Sequence, residues 1–337
     1  MSEGTQQTEP TTERIEGIHH ITAIAGDPQT NVDFYTGVLG LRLVKRTVNF
    51  DAPEVYHLYY GDATGQPGTI LTFFPWPGAR RGSRGVGQAT VTAFSVPEGS
   101  LGYWRDRLTS HGIVAESPKT RGEEEVLTFL DPDGLKLELV AHAGAADESP
   151  WGESTGGPVP DDRAIRRFFG LTMVEQAYEP TAETLDTLGF PLVGETLPGK
   201  TGGENRFRFD AGRGARLDVV RHPDGSYGHI AAGTVHHVAW RVADDAEQVA
   251  WREKIAAAGL HVTPVLDRQY FHSIYFREPG GVLFEIATDP PGFALDEGVE
   301  SLGTALKLPP WLEADRERIE RRLPRLEVDG VATGGKS

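Results

Sequence analysis

The sequence predicts an α+β fold of four βαβββ modules paired into two domains, and three observations carry that expectation. The strand-like run Gly17-Ile18-His19-His20-Ile21-Thr22 returns as Gly233-Thr234-Val235-His236-His237-Val238, with the two His-His pairs 217 positions apart. Each run is followed by helical spacing and then by further strand-like segments, which is the mark of an internal repeat. Two intervening stretches carry the same order, and 337 residues are enough for two ordinary domains.

Residues 1–16 are polar, without an apolar core segment or basic cluster, and are expected to be a disordered lead-in with no secretory signal. The first domain is expected over 17–145. Its first module has a strand over 17–24 and the turn Gly26-Asp27-Pro28. A helix follows from about Thr30, with Val32, Tyr35, Val38 and Leu39 at helical spacing, ending at Gly40. Strands follow at 41–48, 55–60 and 69–74. The second module runs from Gln88 to His142, with a helix over 100–111 and strands at 89–96, 113–117, 125–130 and 135–140. Residues 146–160, rich in Gly, Ser, Pro and acids, are expected to link the domains.

The second domain is expected over 161–302. Its opening module is the least regular: a strand at 168–174, a helix around 182–188, and strands at 206–210 and 215–220. The fourth module is clean, with a strand over 234–242, a helix over 246–258, and strands at 260–265, 272–277 and 282–288. An extension over 303–337 carries a helix predicted at 311–323, where Glu and Arg alternate at helical pair spacings.

Composition narrows the function. Cysteine is absent, so disulfides, thiolate catalysis and iron–sulfur clusters are excluded, and any metal must take His, carboxylate or water ligands. Asp and Glu outnumber Lys and Arg by 49 to 33, a formal charge of −16, which argues against nucleic acid or anionic membranes as partners. No run of 18 apolar residues suggests a transmembrane helix. A cytoplasmic protein is expected, and homo-oligomerisation is left open.

Strand alternation chooses between neighbouring histidines. His236 shares a face with Val238, Trp240 and Val242, which reads as the core side, so His237 should face a cavity. By the repeat, His20, Thr22 and Ile24 face the same way, while His19 sides with Ile21. In the strand at 282–288, Val282, Phe284 and Ile286 form the core face and leave Glu285 opposite. A single buried histidine is more often a hydrogen-bonded core residue than a ligand. Two at matching repeat positions, with a carboxylate that burial makes costly, point instead to a metal held by His20, His237 and Glu285. The repeat equivalents of Glu285 are Glu138, expected to be a remnant paired with a cation or solvent, and Thr72. Two histidines and one carboxylate leave open positions that suit Fe(II) binding O2 and substrate together.

The paired modules with Gly-Ile-His-His-Ile-Thr and Gly-Thr-Val-His-His-Val resemble the vicinal-oxygen-chelate superfamily, which includes the glyoxalases, bleomycin-resistance proteins and extradiol dioxygenases. Val55–Asp62, Pro67-Gly68-Thr69 and Ala305–Glu313 are similar to the ring-cleaving dioxygenases that open hydroquinones and chlorohydroquinones. The resemblance runs from Gly17 to about Leu326 and is weakest in the third module. It implies Fe(II), or Mn(II), on His20, His237 and Glu285, with a small aromatic diol and O2 as substrates. It further implies Arg268 and Tyr275 as catalytic groups. Thr22, His19 and His236 are expected to orient ligands, and the spacing selects no role for His57 or His272.

Two other function classes compete. A metal-dependent lyase or isomerase of glyoxalase type tends to supply a fourth protein ligand, and Thr72 in place of a carboxylate argues against it. A drug-sequestering binding protein of this fold usually needs only two modules. The glycines at 82–87 beside Arg80, Arg81 and Arg84 lack the Gly-Lys-Ser/Thr ending of a phosphate loop, so a basic connector is expected there. Glu123-Glu124-Glu125 reads as a solvated turn.

Overall fold

A computed structural model describes residues 14–197 and 205–328. The first module contains β1 (Ile18–Ala25), α1 (Pro28–Val32), β2 (Arg42–Asn49), β3 (Ala52–Gly61) and β4 (Ile70–Pro75). The second contains β5 (Gln88–Val96), α2 (Leu101–Ser110), β6 (Lys119–Arg121), β7 (Glu124–Leu130) and β8 (Lys136–Ala141). The third contains β9 (Phe168–Glu175), α3 (Glu179–Thr187), β10 (Leu192–Thr196), β11 (Asn205–Asp210) and β12 (Arg216–Arg221). The fourth contains β13 (Thr234–Val242), α4 (Asp245–Ala257), β14 (Leu266–Asp267), β15 (Phe271–Arg277) and β16 (Leu283–Pro291). The α+β expectation of four βαβββ modules holds.

The pairing of the modules differs from the sequence expectation. One eight-stranded sheet runs β14-β15-β16-β13-β1-β4-β3-β2, and the other β10-β11-β12-β9-β5-β8-β7-β6. Module one therefore joins module four, and module two joins module three. The division into consecutive pairs, 17–145 and 161–302, does not describe the sheets. The segment 146–160 connects β8 to β9 within one sheet, and Val159 is buried. The crossings between sheets are instead 76–87 and 222–233, which are zipped to each other: Ser83 N donates to His229 O (3.0 Å), and His229 N to Ser83 O (2.9 Å). The arginines of the first crossing are structural, Arg81 donating to Pro132 O at 2.6 Å and Arg84 to Gly134 O.

Local differences have local causes. The first helix is a short α1 capped by Asp27, whose carboxylate accepts from Thr30 N, followed by a π-helical stretch at Asp33–Val38. The strands expected at 113–117 and 260–265 reduce to single bridges, Ala115 with Phe129 and Val262 with Phe276. Pro118 and Pro264 interrupt those edges, where a missing N–H breaks the ladder. β10 escaped the sequence reading because its side chains are largely exposed at a sheet edge and show no alternation. The helix expected at 311–323 is a 3-10 turn at Glu313–Asp315 followed by α5 (Arg316–Glu320).

Of the expected lead-in, residues 1–13 lie outside the described residues, but Ile15 is fully buried and its N–H donates to Leu188 O. The extension beyond Gly303 is described to 328. It is tied to the first module by Tyr56 Oη donating to Pro324 O (3.0 Å) and Arg46 Nη2 to Thr304 O (3.0 Å). Just before it, the fully buried Lys45 reaches Asp296 and Glu297 at 2.6 and 2.5 Å. Among the described residues, no helix is long and apolar enough to cross a membrane.

Consecutive modules are tied by turn carboxylates. Asp131, in Asp-Pro-Asp-Gly, accepts from Tyr35 Oη of module one (2.9 Å), and Glu278, in Glu-Pro-Gly-Gly, accepts from Thr181 Oγ1 of module three (2.8 Å). Beside Glu278 lies Glu175, fully buried with neither carboxyl oxygen hydrogen-bonded. Burial, with Glu278 adding to it, pushes Glu175 up to about 8. Its folded pKa thus exceeds its unfolded value near 4.5, so its contribution to stability is complete below pH 4.5 and is lost as pH rises towards 8. Across that window the loss approaches about 1.4 kcal/mol per pH unit. Urea unfolding should therefore show Glu175→Gln gaining on the wild type steadily between pH 5 and 8. A gap that stays constant with pH would contradict this.

Candidate metal centre

The site is built on the antiparallel pairing of β1 with β13. Its register passes from Ile18↔Trp240 to His20↔Ala239, and from Thr22↔His237 to Ala23↔Val235. Two β-bulges follow, with His19 and His236 as the extra residues. Each His-His pair thus consists of one residue in register and one bulged residue beside it. This corrects the face assigned to His236: it is half-buried and lines the same cavity as His237, because a bulge breaks the two-residue alternation.

The structure brings His20, His237 and Glu285 together, all three buried, with one potential ligand atom from each within 4.8 Å of the others. His20 Nε2 lies 3.3 Å from His237 Nε2 and 3.4 Å from Glu285 Oε2, and His237 Nε2 lies 2.9 Å from Glu285 Oε2. Donors each about 2.1 Å from one ion and at right angles to one another stand about 3.0 Å apart, so the spacing fits three adjacent positions around a divalent metal. Glu285 Oε1 accepts from Ser273 Oγ, whereas Oε2 is buried without a hydrogen bond. Burial alone would raise the Glu285 carboxyl, but His20 and His237 hold it well below the usual carboxylate range. Burial lowers His237 against the pull of Glu285, keeping a neutral ring with a lone pair to offer.

Each bulged histidine lies against the ring of its neighbour. His19 Nδ1 lies 2.9 Å from His20 Nδ1, and His236 Nδ1 lies 2.7 Å from His237 Nδ1. A metal held on the Nε2 atoms of His20 and His237 would leave the proton on each Nδ1, to be donated to the neighbour, the arrangement that fixes metal-binding imidazoles. Burial keeps both acceptors neutral: His19 is lowered well below its ordinary value, and His236 falls to about 3. Thr22 stands opposite His237 in the β1–β13 register, and its Oγ1 pairs with Thr72 Oγ1 at 2.9 Å.

The cluster opens into a cavity of about 540 Å³, walled by Ile24, Phe50, Phe74, Trp76, Phe271 and Leu283. Tyr275 and Arg268 line it, with Arg268 Nε 3.3 Å from Tyr275 Oη and the Tyr275 ring edge-on to His237. Burial and Glu285 hold the Tyr275 hydroxyl in its protonated form. His57 and Tyr59 line the cavity as well. Tyr59 Oη sits 2.8 Å from His57 Nδ1, and His57 Nε2 sits 2.8 Å from Thr72 Oγ1. Thr72 is the repeat equivalent of Glu285, pairing with Thr22 as Glu285 pairs with Ala239. Its hydroxyl is thus committed to Thr22 and His57. Sequence spacing selects no role for His57 or Tyr59, although their alternation in Val-Tyr-His-Leu-Tyr-Tyr puts both on one face. His272 is elsewhere, bonded to the exposed Asp245.

The second sheet repeats the framework without the donors. Its bulged residues are Thr90 and Phe169, and the positions matching His20 and His237 hold Gly170 and Val91. A Cβ at Gly170 would meet Arg216 O at 1.9 Å, leaving no room for a side chain. The carboxylates matching Glu285 are Glu138 and Asp218. Arg121 grips Glu138 through two bonds of 2.9 and 2.7 Å, and Arg206 and Arg208 hold Asp218 at 2.9 and 2.8 Å. The cation expected beside Glu138 is therefore a guanidinium.

Comparison with known proteins agrees with this architecture. Residues 17–139 and 185–286 match the model of the Glyoxalase/Bleomycin resistance protein/Dioxygenase superfamily. The chain is 48% identical over 312 residues to MhqO of Bacillus subtilis, whose name assigns it to the ring-cleaving dioxygenases, covering 93% of this chain and 97% of that one. It is 36% identical over 320 residues to the chlorohydroquinone/hydroquinone 1,2-dioxygenase of Sphingobium indicum, covering 92% and 97%. The crystal structure of a Bacillus subtilis protein described as a dioxygenase superposes with a TM-score of 0.86 at 46% identity, covering 95% of this chain and all of that one. The chain belongs to the Glyoxalase/Bleomycin resistance protein/Dioxygenase superfamily.

Proposed function

We propose that this protein is a dioxygenase that opens the ring of a hydroquinone beside a hydroxyl-bearing carbon, using Fe(II), or Mn(II), held by His20, His237 and Glu285. The observation that carries the reading is the three-donor cluster facing an aromatic-walled cavity, with no carboxylate where a fourth ligand would stand. The relatives named for ring cleavage, one of them for hydroquinones, support the same substrate class. Fe(II), when bound, supplies the electron transfer that lets O2 react with a closed-shell ring.

The chain's own residues do the rest. The neutral His237 and the ionised Glu285 offer lone pairs without first losing a proton. Phe74, Phe271, Trp76 and Leu283 take the flat apolar ring and exclude water from it. His236, with Nδ1 accepting from His237, keeps its proton on Nε2 and is a donor for a substrate oxygen. Tyr275 is a protonated donor at the cavity wall, and Arg268 behind it stabilises negative charge that develops on the ring oxygens. A glyoxalase-type lyase would call on a carboxylate at position 72, where the threonine is already hydrogen-bonded on both sides.

Protein loaded with Fe(II) under anaerobic conditions should consume one O2 per ring opened when given hydroquinone or chlorohydroquinone, and Mn(II) should support a measurable rate. His237→Ala and Glu285→Ala should lose metal and activity together. Stoichiometric metal with no O2 uptake on any aromatic diol would sink the reading, and turnover of a thiol adduct without O2 would replace it with the lyase.

Tyr275→Phe should keep its metal and its affinity for the ring, while kcat drops by about a hundredfold to a thousandfold, the range for losing one positioned donor. Equal loss of metal content in this variant would show that Tyr275 supports the ligands rather than the reaction.

A further inference from the structure

We infer that Asp51 is a specificity-determining residue: by pairing with Arg268 across the cavity mouth, it makes the site select uncarboxylated aromatic diols over rings that carry a carboxylate. The inference rests on the proposed function for its substrate class, and it concerns a residue outside the donor cluster.

Asp51 sits in the turn between β2 and β3, fixed by its N–H donating to Asn49 Oδ1 at 2.9 Å. Arg268 sits in the turn between β14 and β15. That turn is held by Tyr270 N donating to Arg268 O (2.8 Å) and by Gln269 in the left-handed region with φ 67°, its N–H on Asp267 Oδ1 (2.7 Å). Both turns overhang the cavity, one from module one and one from module four. Arg268 Nη1 meets Asp51 Oδ2 at 3.2 Å, and Arg268 Nε meets Tyr275 Oη at 3.3 Å. Asp51 itself is 78% exposed along its side chain, so the bridge lies at the opening and not among the donors.

The charges lining the cavity decide what fits. Among its lining residues, Arg268 is the cationic side chain, and Glu285 and Asp51 are the carboxylates. A divalent metal is balanced by Glu285 and by one deprotonated oxygen of the diol. Arg268 is balanced by Asp51. The loaded site is then neutral, and its remaining wall is apolar or uncharged polar, with His57, Tyr59 and Tyr275 among the apolar side chains. A ring carboxylate would bring one unmatched negative charge into that wall, which is costly unless a cation meets it. Among the lining residues the cation is Arg268, which meets Tyr275 through Nε and already carries Asp51 on Nη1, so it supports charge developing at the ring oxygens but does not match a second full carboxylate. Removing the Asp51 charge leaves Arg268 in place to receive a carboxylate.

The test compares wild type with Asp51→Asn, Asp51→Glu and the distant Glu123→Gln, which removes one charge from an exposed turn. Two readouts are used. One is kcat/KM of the Fe(II) enzyme for 2,5-dihydroxybenzoate relative to hydroquinone. The other is the affinity of the metal-free protein for benzoate relative to phenol, by calorimetry. In Asp51→Asn both ratios should rise by about threefold to fivefold, the range for an exposed ion pair. Asp51→Glu and Glu123→Gln should leave them at the wild-type value. A ratio unchanged in Asp51→Asn in either readout, or an equal rise in Glu123→Gln, overturns the inference. If hydroquinone is not turned over at all, the dioxygenase reading fails separately, and the binding ratio decides the role of Asp51.

Discussion

The structure depends on one seam, the antiparallel pairing of β1 with β13. It is the contact that brings His20 and His237, 217 residues apart, to within 3.3 Å at their Nε2 atoms. An unbroken antiparallel pair would have directed alternate residues to opposite faces, so that each His-His pair offered one ring to the cavity and lost the other to the core. The two bulges change that. They insert His19 and His236 as extra residues beside the in-register histidines, close enough for Nδ1–Nδ1 hydrogen bonds of 2.9 and 2.7 Å. A bulge therefore supplies both the bend in the seam and a group placed to fix the tautomer of the proposed ligand beside it.

The same seam exists between β5 and β9, and the contrast shows what the donors require. A carboxylate on a central strand must be compensated, since an unpaired buried charge is too costly to keep. The second sheet compensates Glu138 and Asp218 with Arg121, Arg206 and Arg208, and the space over its strands narrows to a polar cavity of about 260 Å³ lined by Arg121 and Arg206. The first sheet places no arginine against Glu285. It offers two imidazoles and leaves one carboxylate oxygen without a hydrogen bond, and the space above stays open as a cavity of about 540 Å³. One framework yields an ionic lattice in one copy and a donor cluster in the other.

Much of this was legible in the sequence, and the limits have physical causes. The repeated His-His pairs and the lone carboxylate in an apolar strand identified His20, His237 and Glu285 as a group because period and burial cost act locally. Which modules share a sheet was not legible. Either pairing satisfies the same strand patterns, and the choice is made by the crossings at 76–87 and 222–233, whose mutual hydrogen bonds use backbone atoms. The side taken by His236 was misjudged because a bulge leaves no mark in the hydrophobic pattern. Asp51 and Trp76 lie in turns and connectors, where alternation gives no information. Their place at the cavity appears only once modules one and four meet.

The nested order of the modules has a consequence for how the site comes into being. Residues 88–221 form a complete sheet of their own between the two halves of the donor-bearing sheet. Closing the β1–β13 seam across that span carries the entropy cost of a long loop, and prior formation of the inner sheet shortens the effective loop. The turn carboxylates then register the outer modules on the inner ones, Asp131 to Tyr35 and Glu278 to Thr181. His20 and His237 have no local reason to meet. Their meeting reports that every intervening module is in place, so the donor cluster is a property of the whole chain, and an ion bound there stabilises the whole chain by acting on its longest-range contact.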